Sequence, residues 1–341
     1  MTTFVETIAA TPLWSRWGVR FIATHRPGSA FARVRAFATG LGRFLREMGS
    51  DRPAVVHLHM AKNGSFFRKS ALVWLASARG VPVVLHMHGG EFQVFHDRMP
   101  APVRWFVRAT LRRAGRVVAL GDRWSERLRL MAPGARVVAI PNPVRIAPAV
   151  RQPSGEAPVH VVFLGKMCAA KGTFVLLQAW AELVADRAGR CRLTLAGNGE
   201  VDRTRQVVAE RGLGSSVEVL SWLGPDEVAR LLDSAHVLVL PSRNEGQPMS
   251  ILEAMARGVC VVATDVGGIP DLVEDGVSAR LLSADDPAGL AKVLGEVVDD
   301  ADLRARLGTA GRDRAKQQFD VDGVWRRIEG LYDEVTSSVN S

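Results

Sequence analysis

From residue 159 onward, short β-branched runs alternate with longer segments of helical period, and this alternation is what most restricts the fold. Val159 to Gly165, Arg192 to Gly197, Val217 to Ser221, His236 to Pro241 and Val259 to Asp265 read as strands. Between them, runs such as Phe174 to Asp186 and Asp226 to Ser234 read as helices. A parallel strand pair needs a crossover of a dozen or more residues, which these intervals supply. The pattern predicts right-handed βαβ units and a parallel sheet covered on both faces. Val19 to Thr24, Val55 to Met60, Val81 to His88, Val117 to Leu120 and Val137 to Pro141 repeat the theme in the first half. A Pro-rich stretch without periodicity, I-P-N-P-V-R-I-A-P-A-V-R-Q-P-S-G-E-A-P, separates the halves. The expectation is an α/β protein of two doubly wound, Rossmann-like domains facing across a cleft. Residues 1–145 form the first, 146–158 the linker and 159–320 the second, with 321–341 a terminal helix that packs back toward the first domain.

Bulk properties exclude several classes. The chain has 341 residues, 47% hydrophobic and 23% charged, enough for two packed cores. No apolar run reaches the roughly 18 residues of a membrane span, and the N-terminus lacks the basic and apolar segments of a secretory signal. Three scattered cysteines, Cys168, Cys191 and Cys260, make neither a disulfide framework nor a zinc motif. A reducing cytoplasm fits this usage. The net charge of +9 is unevenly spread: residues 1–150 carry 23 Lys and Arg against 7 Asp and Glu, a net +16, and the remainder carries 21 against 28, a net −7. Such a field attracts nucleic acid, anionic headgroups or a phosphorylated substrate. No nucleic-acid-binding signature accompanies it, so nucleic acid is not expected as a partner.

Ligands of open α/β sheets bind beyond the carboxyl ends of the strands. Those positions hold His57 and His59, then His86 and His88, in the first half. In the second they hold G-K-M-C-A-A-K-G (165–172), G-N-G-E (197–200), the segment around Glu245, and D-V-G-G-I-P (265–270). Lys166 and Lys171 bracket a loop that opens a helix, where free N–H groups and two ammonium groups suit a diphosphate. The competing reading is two solvated surface lysines. Gly267 and Gly268 let backbone approach a ligand closely, unless they are only a strand-to-helix turn. His88 stands last on its strand, beside Gly89-Gly90, and is read as functional. His57 and His59 have weaker claims against a role in the core. D-D-A-D at 299–302 precedes a helical run and reads as a cap with first-turn acids, so no metal site is assigned there.

The motifs G-K-M-C-A-A-K-G, L-A-G-N-G-E, V-L-V-L-P-S-R-N-E-G-Q-P-M-S-I-L-E-A-M-A-R-G and V-V-A-T-D-V-G-G-I-P-D-L-V-E-D-G-V stand in this order. Together they resemble the donor-binding domain of the family 4 retaining glycosyltransferases, including the E-x7-E signature. The resemblance covers about 155–335 well and 50–145 more loosely. It implies the GT-B fold, a nucleotide-sugar donor held mainly by the second domain, and transfer with retention needing neither metal nor cofactor. Gly165, Lys166 and Lys171 would hold the diphosphate, and Glu253 the ribose. Glu245, with Gly246 and Gln247, would lie by the transferred sugar, and His88 would contact the sugar or leaving phosphate. Eight residues along one helix rise about 12 Å. That exceeds the roughly 5 to 9 Å between glycosidase carboxylates, so Glu245 and Glu253 are not an acid/base pair.

The resemblance also raises a discrepancy. Family members begin with a strand and a Gly-Gly loop before their first helix, whereas F-V-E-T-I-A-A-T-P-L already reads as that helix. The first domain therefore lacks its N-terminal strand, and a start assigned too far downstream is favoured over a true truncation. Basic, aromatic-edged segments at 31–46, at 66–69 with Arg68 and Lys69, and at 103–113 with Arg104, Arg108 and Arg112 suit an anionic membrane face. Solvated faces of ordinary Arg-rich helices are the alternative. The expected protein is a cytoplasmic, peripherally membrane-bound enzyme of polysaccharide or glycolipid synthesis. Its acceptor would be a glycan or a lipid-diphosphate-linked sugar, with His59 among the acceptor-side residues. A non-catalytic binding protein and a sugar-nucleotide epimerase of the same fold are the rivals.

Overall fold

The computed structural model describes residues 2–26, 28–50, 52–88, 90, 92–150 and 158–340. The chain divides into two compact units: Met1–Pro143 with Val321–Ser341, and Val144–Asp320. Among the described residues no helix is long and apolar enough to cross a membrane.

The first unit carries a parallel sheet of β1 (Val56–Met60), β2 (Val83–Met87), β3 (Arg116–Ala119) and β4 (Val137–Ala139), in that spatial order. Side chains alternate between faces, so Leu58, Met60, Val83, Leu85 and Met87 join one core. That core also takes Phe66 and Leu72 of helix Gly64–Ala78 and Val107 and Leu111 of helix Ala101–Arg113. On the other face, Val84 and Val118 pack with Phe4, Ile8, Leu13, Trp325, Ile328 and Tyr332. Helix Val321–Asn340 thus belongs to the first unit. Its buried Trp325, Ile328, Leu331, Tyr332 and Val335 contribute roughly 10 kcal/mol of apolar burial before ordering entropy is subtracted.

Val19 to Thr24, expected as a strand, is not one. A strand needs a neighbour about 4.8 Å away, and a cavity of about 390 Å³ intervenes. Val19, Arg20, Phe21, Ile22 and Thr24 line it together with Val55 and Val56 at the β1 edge. The boundary between units also differs from expectation, falling at Pro143/Val144. Val144 N donates to Phe319 O at 2.8 Å, and Val150 N to Arg257 O at 2.8 Å, fastening this stretch to the second unit. Residues 144–150 are therefore no free tether, and residues 151–157 of the expected linker lie outside the described residues.

The second unit holds six parallel strands: β5 (Val159–Leu164), β6 (Cys191–Ala196), β7 (Val217–Leu220), β8 (Val237–Leu240), β9 (Cys260–Thr264) and β10 (Arg280–Leu282). Their order is β10-β9-β8-β5-β6-β7. The chain winds outward from β5 through β6 and β7, then returns to the far side of β5 as β8. The winding reverses between β5 and β8, and a ligand crevice opens beyond the carboxyl ends of that pair. Cys191 and Cys260 are buried free thiols.

Candidate active site

The loops after β5 and β8 meet at this reversal. Lys171 Nζ lies 2.6 Å from Glu245 Oε1, and Ser242 Oγ donates to the same oxygen at 2.7 Å. Ser242 is held in turn, because its carbonyl accepts from Thr264 Oγ1 of β9 at 2.5 Å. Arg243 N donates to Ala170 O at 3.0 Å, stitching the two loops together. Glu245 is 7% exposed, whereas the Lys171 side chain is 31% exposed. The ion pair therefore reaches solvent from the lysine side. Lys166 is exposed and has no ion-pair partner among the described residues.

The rim is packed backbone to backbone. Gly267 has φ +58°, and a Cβ there would stand 1.9 Å from Glu245 O. Gly268 N donates to that carbonyl at 3.2 Å, so the D-V-G-G turn carries the Glu245 loop directly. Gly165 N donates to Ala196 O at 3.1 Å, and Met167 N to Asn198 O at 2.6 Å, which joins the β5 and β6 loops. Gly165, Lys171, Glu245, Gly246, Gln247, Gly267 and Gly268 thus stand on three strand ends, those of β5, β8 and β9, joined through the β8 loop. Ser242 and Thr264 are the residues that sequence reading missed. The available signal was Ser242's place directly after the β8 strand and Pro241.

Glu253 sits on the second turn of helix Met249–Met255. Pro248 precedes that helix as its N-cap, with φ −69° and ψ 124°. A proline there needs no partner for a missing N–H. Burial pushes the Glu253 carboxyl up to about 7, opposed by the Arg257 guanidinium. Arg257 is itself tied to Asp233 Oδ1 at 2.8 Å and to Glu253 O at 3.2 Å. In the D-D-A-D segment, Asp300 accepts from Leu303 N at 2.8 Å as an N-cap, and Asp299 pairs with Arg187.

In the first unit, β1 and β2 pair His59 with His86 and His57 with Val84. Two His-x-His patterns in register therefore place four imidazoles on one face. His57 Nδ1 lies 2.6 Å from Tyr332 Oη, His57 Nε2 lies 3.2 Å from His86 Nδ1, and His59 Nδ1 lies 2.7 Å from His88 Nε2. Phe4 covers His59, His86 and His88 edge-on. Burial lowers His57 to about 4 and His88 to about 3, and holds His59 and His86 well below the usual imidazole range. All four are neutral at pH 7. His88, read from sequence as functional ahead of His57 and His59, is thus one member of a network, and Gly89 beside it lies outside the described residues. Lys69 Nζ donates to Thr24 Oγ1 at 2.7 Å, and burial, then Arg68, lowers it to about 8. Arg104, Arg108 and Arg112 stand four apart on helix Ala101–Arg113, Arg108 and Arg112 exposed and Arg104 half-buried.

Two family profiles match the chain. The one described as "Glycosyl transferases group 1" covers residues 158–300, and "Glycosyl transferase 4-like domain" covers residues 6–143. Among curated relatives, alpha-D-kanosaminyltransferase of Streptomyces kanamyceticus is 26% identical over 86% of this chain and 79% of its own. D-inositol 3-phosphate glycosyltransferase of Streptomyces scabiei is 29% identical over 84% of this chain and 69% of its own. A solved structure of Anabaena HepE in complex with UDP and glucose superposes with a TM-score of 0.72 at 18% identity, covering 90% of this chain and 84% of that one. Fold and family profiles together define a glycosyltransferase of the GT-B class. The chain belongs to glycosyltransferase family 4.

Proposed function

We propose that the enzyme transfers a sugar from a nucleoside diphosphate donor, bound at the β5/β8 reversal of the second unit, with retention of configuration. The observation that carries the donor site is the Lys171–Glu245–Ser242 arrangement at that reversal, with exposed Lys166 on the same loop as Lys171. Lys166 and Lys171 meet the diphosphate, Glu253 accepts from the ribose hydroxyls, and Glu245 with Gly246 and Gln247 lies by the sugar. The bond from the anomeric carbon to the phosphate oxygen breaks, and a bond from that carbon to an acceptor hydroxyl forms. The acceptor proton passes to the departing diphosphate. Developing charge there is met by two ammonium groups, worth a few kcal/mol apiece in a pre-formed site, so the step itself needs no metal. Retention rests on the likeness of the Glu245-to-Glu253 segment to the retaining family.

The first unit takes the acceptor, with neutral His88 toward the sugar or leaving phosphate and His59 behind it. A glycan or lipid-diphosphate-linked sugar at an anionic membrane face fits the Arg-rich helices of that unit. Thermal-shift measurements with UDP, GDP, ADP and their sugars test the central reading. One nucleotide should raise Tm by several degrees at a hundredfold excess over its Kd, and stabilisation by none of them would overturn it.

A further inference from the structure

Four of the chain's eight histidines lie within one buried stack, and among the described residues none of their hydrogen bonds goes to a carboxylate. A core face that merely needed filling would take aliphatic side chains, as Val84 and Val118 do on the same face. Three of the four, His57, His59 and His86, each offer one nitrogen within 4.8 Å of the others. His57 Nε2 and His86 Nδ1 face each other at 3.2 Å. The edge of a tetrahedron around an ion with 2.0 to 2.1 Å metal–nitrogen bonds is about 3.3 to 3.4 Å.

The outer contacts suit the same arrangement. A ligating imidazole donates its other N–H to a fixed partner, which sets its tautomer. His57 Nδ1 has Tyr332 Oη at 2.6 Å, and His59 Nδ1 has His88 Nε2 at 2.7 Å, so both rings can turn Nε2 inward. His86 turns Nδ1 toward His57 Nε2, and its buried Nε2 has no hydrogen-bond partner, so of the three rings only His57 and His59 have the second contact that fixes a tautomer. The 390 Å³ cavity is lined by His57, His59, Lys69 and Tyr332, so two of the three rings border open space from which an ion could be approached.

We propose that His57, His59 and His86 form a binding site for one divalent transition-metal ion of the zinc class, with Tyr332 and His88 orienting two of the ligands. Three neutral imidazoles with an open position select zinc, cobalt, nickel or copper over magnesium and calcium, which prefer oxygen. The site joins β1, β2 and helix Val321–Asn340 through Tyr332.

The test uses the untagged full chain stripped by chelator and dialysed. Zinc titration with a competing chromophoric chelator should find one tight site per chain, and cobalt should give the visible bands of a four-coordinate ion. His86→Asn should weaken binding at least about 100-fold and Tyr332→Phe about 10-fold. His25→Asn, on an exposed loop, should leave it unchanged. Should His86→Asn fail to fold, the wild-type cobalt spectrum and a zinc-dependent rise in Tm carry the decision. Absence of a stoichiometric ion, six-coordinate cobalt, or an affinity unmoved in folded His86→Asn would overturn the proposal.

Discussion

Glu253 and Glu245 bracket one motif, yet their surroundings assign them different work. Glu245 has its charge met within the protein by Lys171 and Ser242, whereas the Glu253 carboxyl is desolvated and raised to about 7. In the proposed donor site only the ionised carboxylate would accept from both ribose hydroxyls. Donor KM should therefore fall as pH rises from about 6 to 8, with a midpoint of about 7. Glu253→Gln should raise donor KM about 10-fold at pH 8 and flatten that profile, since one lost charge-assisted bond is worth about 1.5 to 3 kcal/mol. The stability effect has the opposite pH sign. The folded carboxyl keeps its proton to about 7, whereas a freely solvated one loses it near 4.5, so the native state binds more protons between them and stability falls as pH rises through that window. Urea midpoints at pH 5 and pH 8 should converge in Glu253→Gln. Glu245→Gln should instead lower kcat by about 100-fold with donor KM little changed, the mark of an interaction made in the transition state. Equal kcat and KM effects in both variants would remove the division of labour.

At the scale of elements, the sequence made strand ends legible because parallel strands buried on both faces are written as unbroken β-branched runs. It also located the loops after β5, β8 and β9. It could not show that these loops share hydrogen bonds, since that depends on which strands neighbour each other: the return of β8 to β5 is a topological fact, not a local pattern. Ser242 was missed for this reason, as was β10, whose three residues carry no period. Val19 to Thr24 was misread because β propensity measures fit to a sheet, and the 390 Å³ cavity separates these residues from one. The histidine network was half legible, for alternation put each pair on one face but only the β1/β2 register brought the pairs together. The turn at Gly267 gives the sharpest test of loop coupling. Gly267→Ala forces a Cβ toward Glu245 O at 1.9 Å with φ at +58°. It should cost about 2 to 4 kcal/mol in urea unfolding and abolish the nucleotide-induced rise in Tm. Ala at Gly212, with φ +67° but nothing within 4 Å, should cost only the backbone term, about 1 kcal/mol, and leave that rise intact.

For the whole molecule, charge and apolar exposure are concentrated together. Residues 1–150 carry the net +16, and among the described residues nine of the eleven exposed large hydrophobic side chains lie in the first unit, with Trp222 and Val277 in the second. Helix Ala30–Ser50 shows the combination most clearly: Phe31 and Val34 are 77% and 67% exposed beside exposed Arg33 and Arg35. Trp105, 64% exposed, stands beside Arg104 and Arg108. Solvated arginines alone would need no such apolar companions, whereas an interfacial helix buries them among headgroups while its cations meet anionic lipid. Binding to vesicles containing anionic lipid should therefore exceed binding to neutral vesicles by at least about 10-fold at 0.1 M salt. It should weaken steeply toward 1 M as the screening length falls from about 10 to 3 Å. Replacing Phe31 and Val34 together by Ser should reduce vesicle binding about 10-fold while leaving donor-induced stabilisation unchanged, because both residues lie outside the second unit, where the donor site is proposed. Co-sedimentation with no preference for anionic lipid would leave the basic half without a membrane role. Binding that survives 1 M salt yet is lost in the double variant would make the contact apolar rather than electrostatic.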